Sequence, residues 1–386
     1  MQFLHLGDLH LGKTLGEFDL IYDQKYLLEQ VIRIAKDRKI DRILIAGDIY
    51  DRAIPPESAV RLLDWFLKEL VKNQIKVYLI SGNHDSDERL NFGSSFLEDS
   101  GIYLSAKYEG ELKHLVCEDE FGEINIYLMP FVKYSQVRHY FPDEEIKDYS
   151  DAVRVILEHA DIDPAARNVI TAHQFVAGGG KAPVLGGSES PVVRQIIQDV
   201  GTVENIGAEL FDAFDYAALG HIHSPQKIMR EEVRYSGSLM KYSLSEVNSE
   251  KSVPCVTIGE KGHTEIELIP LKPERDLRHI KGPAAKLLAQ ENISDSNDFI
   301  YATLTDEDVI PDIMGLFQLH YPNTVKIDYE NSHTKALEQA EFTEMAEEKP
   351  FAELFGDFYR VIYGEEMTEE MTAVMLDAAR EAGVTE

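Results

Sequence analysis

The chain has 386 residues, with 38 basic and 69 acidic side chains and a net charge of −31. That length suits two or three domains, and a hydrophobic share of 44% is too high for wholesale disorder. The acidity argues against a protein that grips nucleic acid unaided, because neutralising phosphates takes clustered Lys and Arg.

Met1-Gln2 runs straight into a strand-like segment with no leader pattern, and no stretch reaches the roughly 18 apolar residues of a spanning helix. Cys117 and Cys255 stand far apart, which leaves no disulfide framework and no Cys-based metal site. The expected location is the cell interior, away from membranes.

Up to about residue 110, short β-branched runs alternate with amphipathic stretches. FLHL (3–6), RILIA (42–46) and VYLIS (77–81) read as strands, and Asp23–Lys39 and Glu57–Asn73 as helices. Trp65, beside Leu62, Leu63 and Phe66, is expected in the core. From 111 to 270 strands dominate (EINIYLMP, RNVITAH, DYAALGH, VRYSGS, PCVTIG, TEIELIPL), interrupted by the Gly- and Ser-rich loop Gly178–Ser190. The expected class is α/β, a two-sheet sandwich flanked by helices over 1–271. A small α/β unit follows over 272–332, read as strand Asp276–Ile280, helix Pro283–Gln290, strand Phe299–Leu304, helix Ile310–Tyr321 and strand Val325–Tyr329.

Residues 337–386 carry 14 acidic and 3 basic side chains. After a polar linker (333–350), Phe351, Leu354, Phe355, Phe358 and Ile362 recur at helical spacing. A second helix is expected to start at the N-cap Thr368 and to present Met371, Val374, Met375 and Ala378. Two short helices on a tether cannot bury both stripes alone, so they either pack on each other or dock on a partner; residues 351–386 are read as a partner-docking segment.

Five motifs lie at the carboxyl ends of apolar runs: GDLH (7–10), GDIYDR (47–52), GNHD (82–85), TAHQ (171–174) and GHIH (220–223). Ligands bind there in open α/β sheets. Asp8 and His10, like His221 and His223, are two apart, so each pair shares a face if strand geometry persists. Asp8, His10, Asp48, Asn83, His173, His221 and His223 together offer O and N donors without thiolate. That set is too large for one tetrahedral zinc and suits two borderline-hard ions such as Mn²⁺ or Fe²⁺. Paired metals are the arrangement for in-line displacement at phosphorus, polarising phosphoryl oxygens and supplying hydroxide.

Residues 7–14, GDLHLGKT, also satisfy the pattern of a nucleotide-binding P-loop. The loop lacks glycine between its ends, and no helix pattern follows Thr14. Lys13 and Arg52 are instead candidates for contact with substrate phosphate.

The five motifs, in this order, resemble the calcineurin-like metallophosphoesterase superfamily. The resemblance implies that Asp8, His10, Asp48 and His223 hold one metal and Asp48, Asn83, His173 and His221 the other, with Asp48 bridging. It implies that His84 contacts the scissile phosphate and protonates the leaving oxygen, and that the Asp51 carboxylate orients it.

The whole chain, with a small unit opening on RDLRHIKG (275–282) and a tail carrying FAELFGDFY, further resembles the SbcD family of double-strand-break repair nucleases. That implies a Mn²⁺-dependent nuclease, with Fe²⁺ and Mg²⁺ as alternatives. The implied activities are 3′ to 5′ trimming of duplex ends and opening of hairpins and single strands. The implied assembly is a homodimer within a heterotetramer, with an SbcC-like coiled-coil ATPase on the tail. Helices around Glu57–Asn73 and Arg89–Ser100 are candidates for the dimer interface. A small-substrate phosphodiesterase or phosphatase on the same site is the alternative, and a nucleotide-binding scaffold is a third reading.

Overall fold

The computed structural model describes residues 1–179, 182–184, 205–332, 334, 351–363 and 366–381. The chain divides into two compact units, Met1–Asp276 and Leu277–Glu386.

Two six-stranded sheets build the first unit. One runs Thr264–Pro270, Ser252–Ile258, Gln2–Leu6, Arg42–Ala46, Lys76–Ile80 and Ile102–Ser105 in spatial order. The last four strands are mutually parallel, and Ser252–Ile258 joins Gln2–Leu6 antiparallel. The other sheet runs Gln226–Ile228, Arg230–Tyr235, Tyr216–Gly220, Arg167–His173, Gly122–Met129 and Lys113–Asp119. Its four middle strands are likewise parallel.

Strand alternation sends Phe3, Leu44, Tyr78 and Ile80 of one sheet against Ile124, Ile126, Leu128, Val169, Tyr216 and Ala218 of the other. The opposite faces of the central strands are also buried, which is why RILIA reads as a continuous apolar run. The amphipathic helices Ile21–Arg38 and Glu57–Lys72 bury Leu27, Leu28, Val31, Leu62, Leu63, Phe66 and Leu70. The second sheet's outer layer includes helix Tyr149–Glu158, capped where Asp148 accepts from Asp151 N–H. Trp65 is only half-buried, on the helix flank, with the Lys25 ammonium 5.2 Å above its ring, so the core position expected for it is Phe66's.

In the second unit, strands Leu277–Gly282, Phe299–Leu304 and Thr324–Tyr329 form a parallel sheet covered by Ala284–Leu287 and Ile313–Gln318. It also contains helices Phe351–Tyr363 and Glu369–Glu381. Thr368 Oγ1 accepts from Met371 N–H at the start of the latter. Its expected apolar stripe is largely exposed, Met371 by 45% and Val374 by 67%, while Ala379 is buried. Phe351, Leu354 and Phe355 are half-buried; the side chains of Phe358 and Ile362, the linker 335–350, and most of the Gly178–Ser190 loop lie outside the described residues.

Candidate metal centre and active site

Parallel strands of both sheets end at one place. Gln2–Leu6 delivers Asp8 and His10, Arg42–Ala46 delivers Asp48, and Lys76–Ile80 delivers Asn83 and His84. From the other sheet, Arg167–His173 ends on His173 and Tyr216–Gly220 leads to His221 and His223.

The expectation that strand geometry pairs these residues on one face does not hold. Asp8 (φ 51°), His10 (φ 43°), Asp48 (φ 48°) and His221 (φ 100°) all have positive φ. Such backbone is costly for non-glycine residues and is retained where surrounding structure imposes it. Here the turns, not a two-residue period, aim the side chains inward. Close approach adds a demand at Gly220, where a Cβ would overlap the Ala46 carbonyl oxygen.

Three ligand groups crowd together: Asp8, His10 and His223; Asp8, Asp48 and His173; His10, Asp51 and His84. His10 Nε2 and His223 Nε2 face each other at 2.9 Å. Asp48 Oδ2 lies between His10 Nε2, at 3.5 Å, and His173 Nε2, at 3.4 Å. Asn83 Oδ1 sits 3.1 Å from His173 Nε2 and 2.9 Å from His221 Nδ1. His173 Nδ1–H donates to the Ala46 carbonyl at 2.7 Å, which leaves Nε2 as the nitrogen that faces Asp48 and Asn83.

The cluster is electrostatically unsatisfied by protein alone. Asp8 Oδ2 and His10 Nδ1 are buried without a hydrogen-bond partner. Burial, reinforced by Asp48, pushes the Asp8 carboxyl up to about 6. Burial would raise Asp48 as well, but His173 and His10 outweigh it and hold Asp48 well below the usual range. Burial would lower His173, yet Asp48 raises it to about 9. Two buried carboxylates, an orphaned carboxylate oxygen and convergent imidazole nitrogens fit a pair of divalent cations. Asp8, His10, Asp48 and His223 would surround one and Asp48, Asn83, His173 and His221 the other.

The environment of His84 differs from the expectation. His84 Nδ1–H donates to the main-chain carbonyl of Asp51 at 2.9 Å, and its own backbone N–H donates to Asp48 Oδ1 at 2.9 Å. The Asp51 carboxylate makes no hydrogen bond to His84; it accepts from Lys13 Nζ at 2.7 Å and lies 3.5 Å from His10 Nδ1. Burial opposes ionisation of Asp51, but His10 and Lys13 outweigh it and lower its pKa. Lys13 is thus committed to Asp51, whereas Arg52 is 60% exposed and 3.8 Å from Asp51 Oδ2.

Residues 7–14 form no phosphate cradle. The N–H groups of Asp8, His10 and Leu11 donate to the carbonyls of Gly47, Asp48 and Ile49, and Thr14 enters a short strand.

Several supporting residues escape sequence reasoning. Asp85 accepts from the backbone N–H groups of Ile49, Tyr50 and Gly82 at 2.9–3.0 Å, pinning the Asp48 loop to the Asn83 loop. Only its place as the last letter of GNHD marks it. Glu246 Oε1 lies 3.4 Å from His223 Nδ1, and its Oε2 accepts from Lys251 Nζ at 2.6 Å. Burial opposes the charge on Glu246, but His223 and Lys251 carry its pKa down to about 2. Gln24 Nε2 donates to the His10 carbonyl at 2.7 Å. No motif marks Glu246, Lys251 or Gln24. His5, unassigned from sequence, is core: its Nδ1 meets Tyr216 Oη at 3.0 Å.

The profile of the calcineurin-like phosphoesterases matches residues 1–225, and one described as a Type 5 capsule protein repressor C-terminal domain matches residues 273–362. A Staphylococcus epidermidis protein, the SbcD component of the SbcCD nuclease, is 33% identical over 331 residues, 85% of each chain. Solved structures similar to this chain include TT1561 of Thermus thermophilus and a dimetal phosphatase from Danio rerio. Each has 12% identity and a TM-score of 0.36; the first covers 69% of this chain and 98% of its own, the second 70% and 99%. The chain belongs to the calcineurin-like phosphoesterase family and, within it, to the SbcD nucleases. It is a metal-dependent phosphodiester hydrolase, and the family fold implies a dinuclear divalent-metal site.

Proposed function

We propose that the chain is the nuclease subunit of a DNA end-processing complex. It trims duplex ends 3′ to 5′ and opens hairpins and single strands, in the cytoplasm at the nucleoid. The observation that supports this most directly is the convergence of His10, Asp48, His173 and His223 on Asp8, whose carboxylate oxygen Oδ2 is buried without a partner. Two divalent cations, Mn²⁺ first among them, would there supply charge neutralisation of the phosphoryl oxygens and activation of the attacking water.

The protein's own contribution is orientation and proton delivery. The Asp51 carbonyl fixes His84 through Nδ1, so Nε2 is the nitrogen that carries a proton to the leaving oxygen. His84 stands edge-on to His10 with ring centroids 4.9 Å apart, at the edge of the ligand cluster beside His10 and Asp51. Arg52, exposed at the rim, attracts the phosphate backbone.

In this reading residues 1–271 are the nuclease domain, 272–332 cap the DNA, and 333–350 tether a helix pair (351–386) that docks on an SbcC-like coiled-coil ATPase. Exposure of Met371 and Val374 supports that docking. Phe92 and Phe96, exposed by 89% and 80%, and exposed Val60 on helix Glu57–Lys72 support a homodimer, within a heterotetramer, through the segments that carry them.

The test is Mn²⁺-dependent digestion of end-labelled duplex and hairpin DNA, with and without the ATPase. Wild type is expected to shorten and nick these substrates and His84→Gln to leave them intact. Turnover of cyclic nucleotides with no DNA cleavage would overturn the reading.

A further inference from the structure

Beside the ligand cluster lies a cavity of about 110 Å³ lined by Asn83, Phe131, Tyr149, Gln174, Phe175 and His221. Its walls are mostly aromatic. Phe131 lies nearly parallel to His221 (22°, centroids 6.5 Å apart) and 6.4 Å from Tyr149, while Phe175 stands edge-on to His221 at 6.2 Å. Phe131 and Tyr149 are half-buried, so their rings are not closed off as core side chains would be.

The cavity also has an unmet polar group. Gln174 is 1% exposed, and its Nε2 has no hydrogen-bond partner. Its backbone is held in place, with the carbonyl accepting from Tyr235 Oη at 2.8 Å. The neighbouring wall is fixed too, since Phe131 N–H donates to the Ser81 carbonyl at 3.1 Å. An amide kept dry without a partner is costly unless a ligand satisfies it.

We propose that this cavity receives the nucleobase of the nucleotide whose phosphate lies on the metal centre. The aromatic walls would stack on the base and Gln174 would hydrogen-bond its edge. This rests on the nuclease reading above and deepens it. Asn83 and His221 belong both to the cavity wall and to the ligand cluster, so phosphate and base of one nucleotide can occupy adjoining sites. A base paired within a duplex cannot enter. The nucleotide beside the scissile phosphate is therefore taken unpaired, which favours frayed ends, hairpin tips and single strands.

The test is calorimetric titration of the Mn²⁺-loaded full chain with thymidine 5′-monophosphate and with 2-deoxyribose 5-phosphate, which lacks the base. Wild type is expected to bind the nucleotide about tenfold more tightly, the scale of one base stacked on an aromatic side chain. Phe131→Leu is expected to bring that ratio close to one, and Phe131→Tyr to restore it. If Phe131→Leu fails to fold, Gln174→Ala serves, with a smaller fall in the same ratio. Equal binding of the two ligands by wild type overturns the base site and leaves the nuclease reading standing. Failure of wild type to bind either ligand, with metal loaded, overturns both.

Discussion

His84 Nδ1 lies 2.9 Å from the backbone carbonyl of Asp51, while the Asp51 carboxylate turns to Lys13. The orienting group survives any substitution of the Asp51 side chain that leaves the loop intact. His84→Gln is expected to lower kcat by about 10²–10⁴, the range for losing a general acid, with two metals still bound. Asp51→Asn is expected to cost far less, because the carbonyl remains. Single-turnover rates with metal stoichiometry by elemental analysis check both. Comparable losses in kcat would return the orienting role to the carboxylate.

Glu246 and Lys251 form a buried ion pair behind His223, with Lys251 Nζ also donating to the His223 carbonyl at 2.8 Å. Glu246→Gln weakens the carboxylate that orients the imidazole. Metal affinity is expected to fall about 10- to 100-fold, as for comparable outer partners of a ligand histidine. It also leaves Lys251 buried without its counter-charge, a cost of about 3–5 kcal/mol. The double variant Glu246→Gln/Lys251→Met removes that stranded charge and should recover stability but not metal affinity. Mn²⁺ titration by electron paramagnetic resonance and urea unfolding separate the two effects.

Asp85 ties three backbone N–H groups from two loops to one carboxylate. Asp85→Ala leaves those donors unpaired in the interior, at about 1–3 kcal/mol each when nothing replaces the partner. The expected result is a fall of several kcal/mol in unfolding free energy, together with weaker metal binding, because Asp48 and Asn83 lose their common anchor. Urea unfolding and metal titration check it. A change confined to metal binding would argue against a structural tie.

Exposure of Phe92 and Phe96 leads to a separate expectation. Phe92→Ser/Phe96→Ser should convert a dimer to a monomer in sedimentation equilibrium without altering its melting temperature, since neither ring is buried in the single chain. Unchanged sedimentation would move the interface elsewhere.

The sheet framework was legible because RILIA and VYLIS are continuous apolar runs and the long helices carry clear stripes. The five motifs marked the candidate ligands, since each is a short word at a strand end. Their geometry was not legible. Left-handed backbone at Asp8, His10 and Asp48 is imposed by packing between two sheets and leaves no local signature. Glu246 meets His223 only after a 23-residue excursion, and the Asp51 carbonyl has no side-chain letter at all. Trp65 misled because a helical stripe defines a face only to within a residue or so, and Phe66 is the residue that points inward.

His5 supplies a pH dependence that is independent of the metal centre. It is fully buried, and burial, with Arg234 nearby, lowers its pKa from 6.5 to about 3. Between those values the unfolded chain binds a proton that the folded chain refuses. Stability from neutral His5 is therefore complete above pH 6.5 and is lost as pH falls toward 3, at about 1.4 kcal/mol per pH unit. Removing His5 together with its partner hydroxyl, as His5→Leu/Tyr216→Phe, abolishes that proton uptake without stranding Tyr216 Oη. Urea unfolding of both proteins between roughly pH 7 and pH 5 checks it. The difference between them should shift in favour of the double variant as pH falls, since every other titrating group is shared. Parallel stability curves would mean that His5 takes up its proton in the folded state.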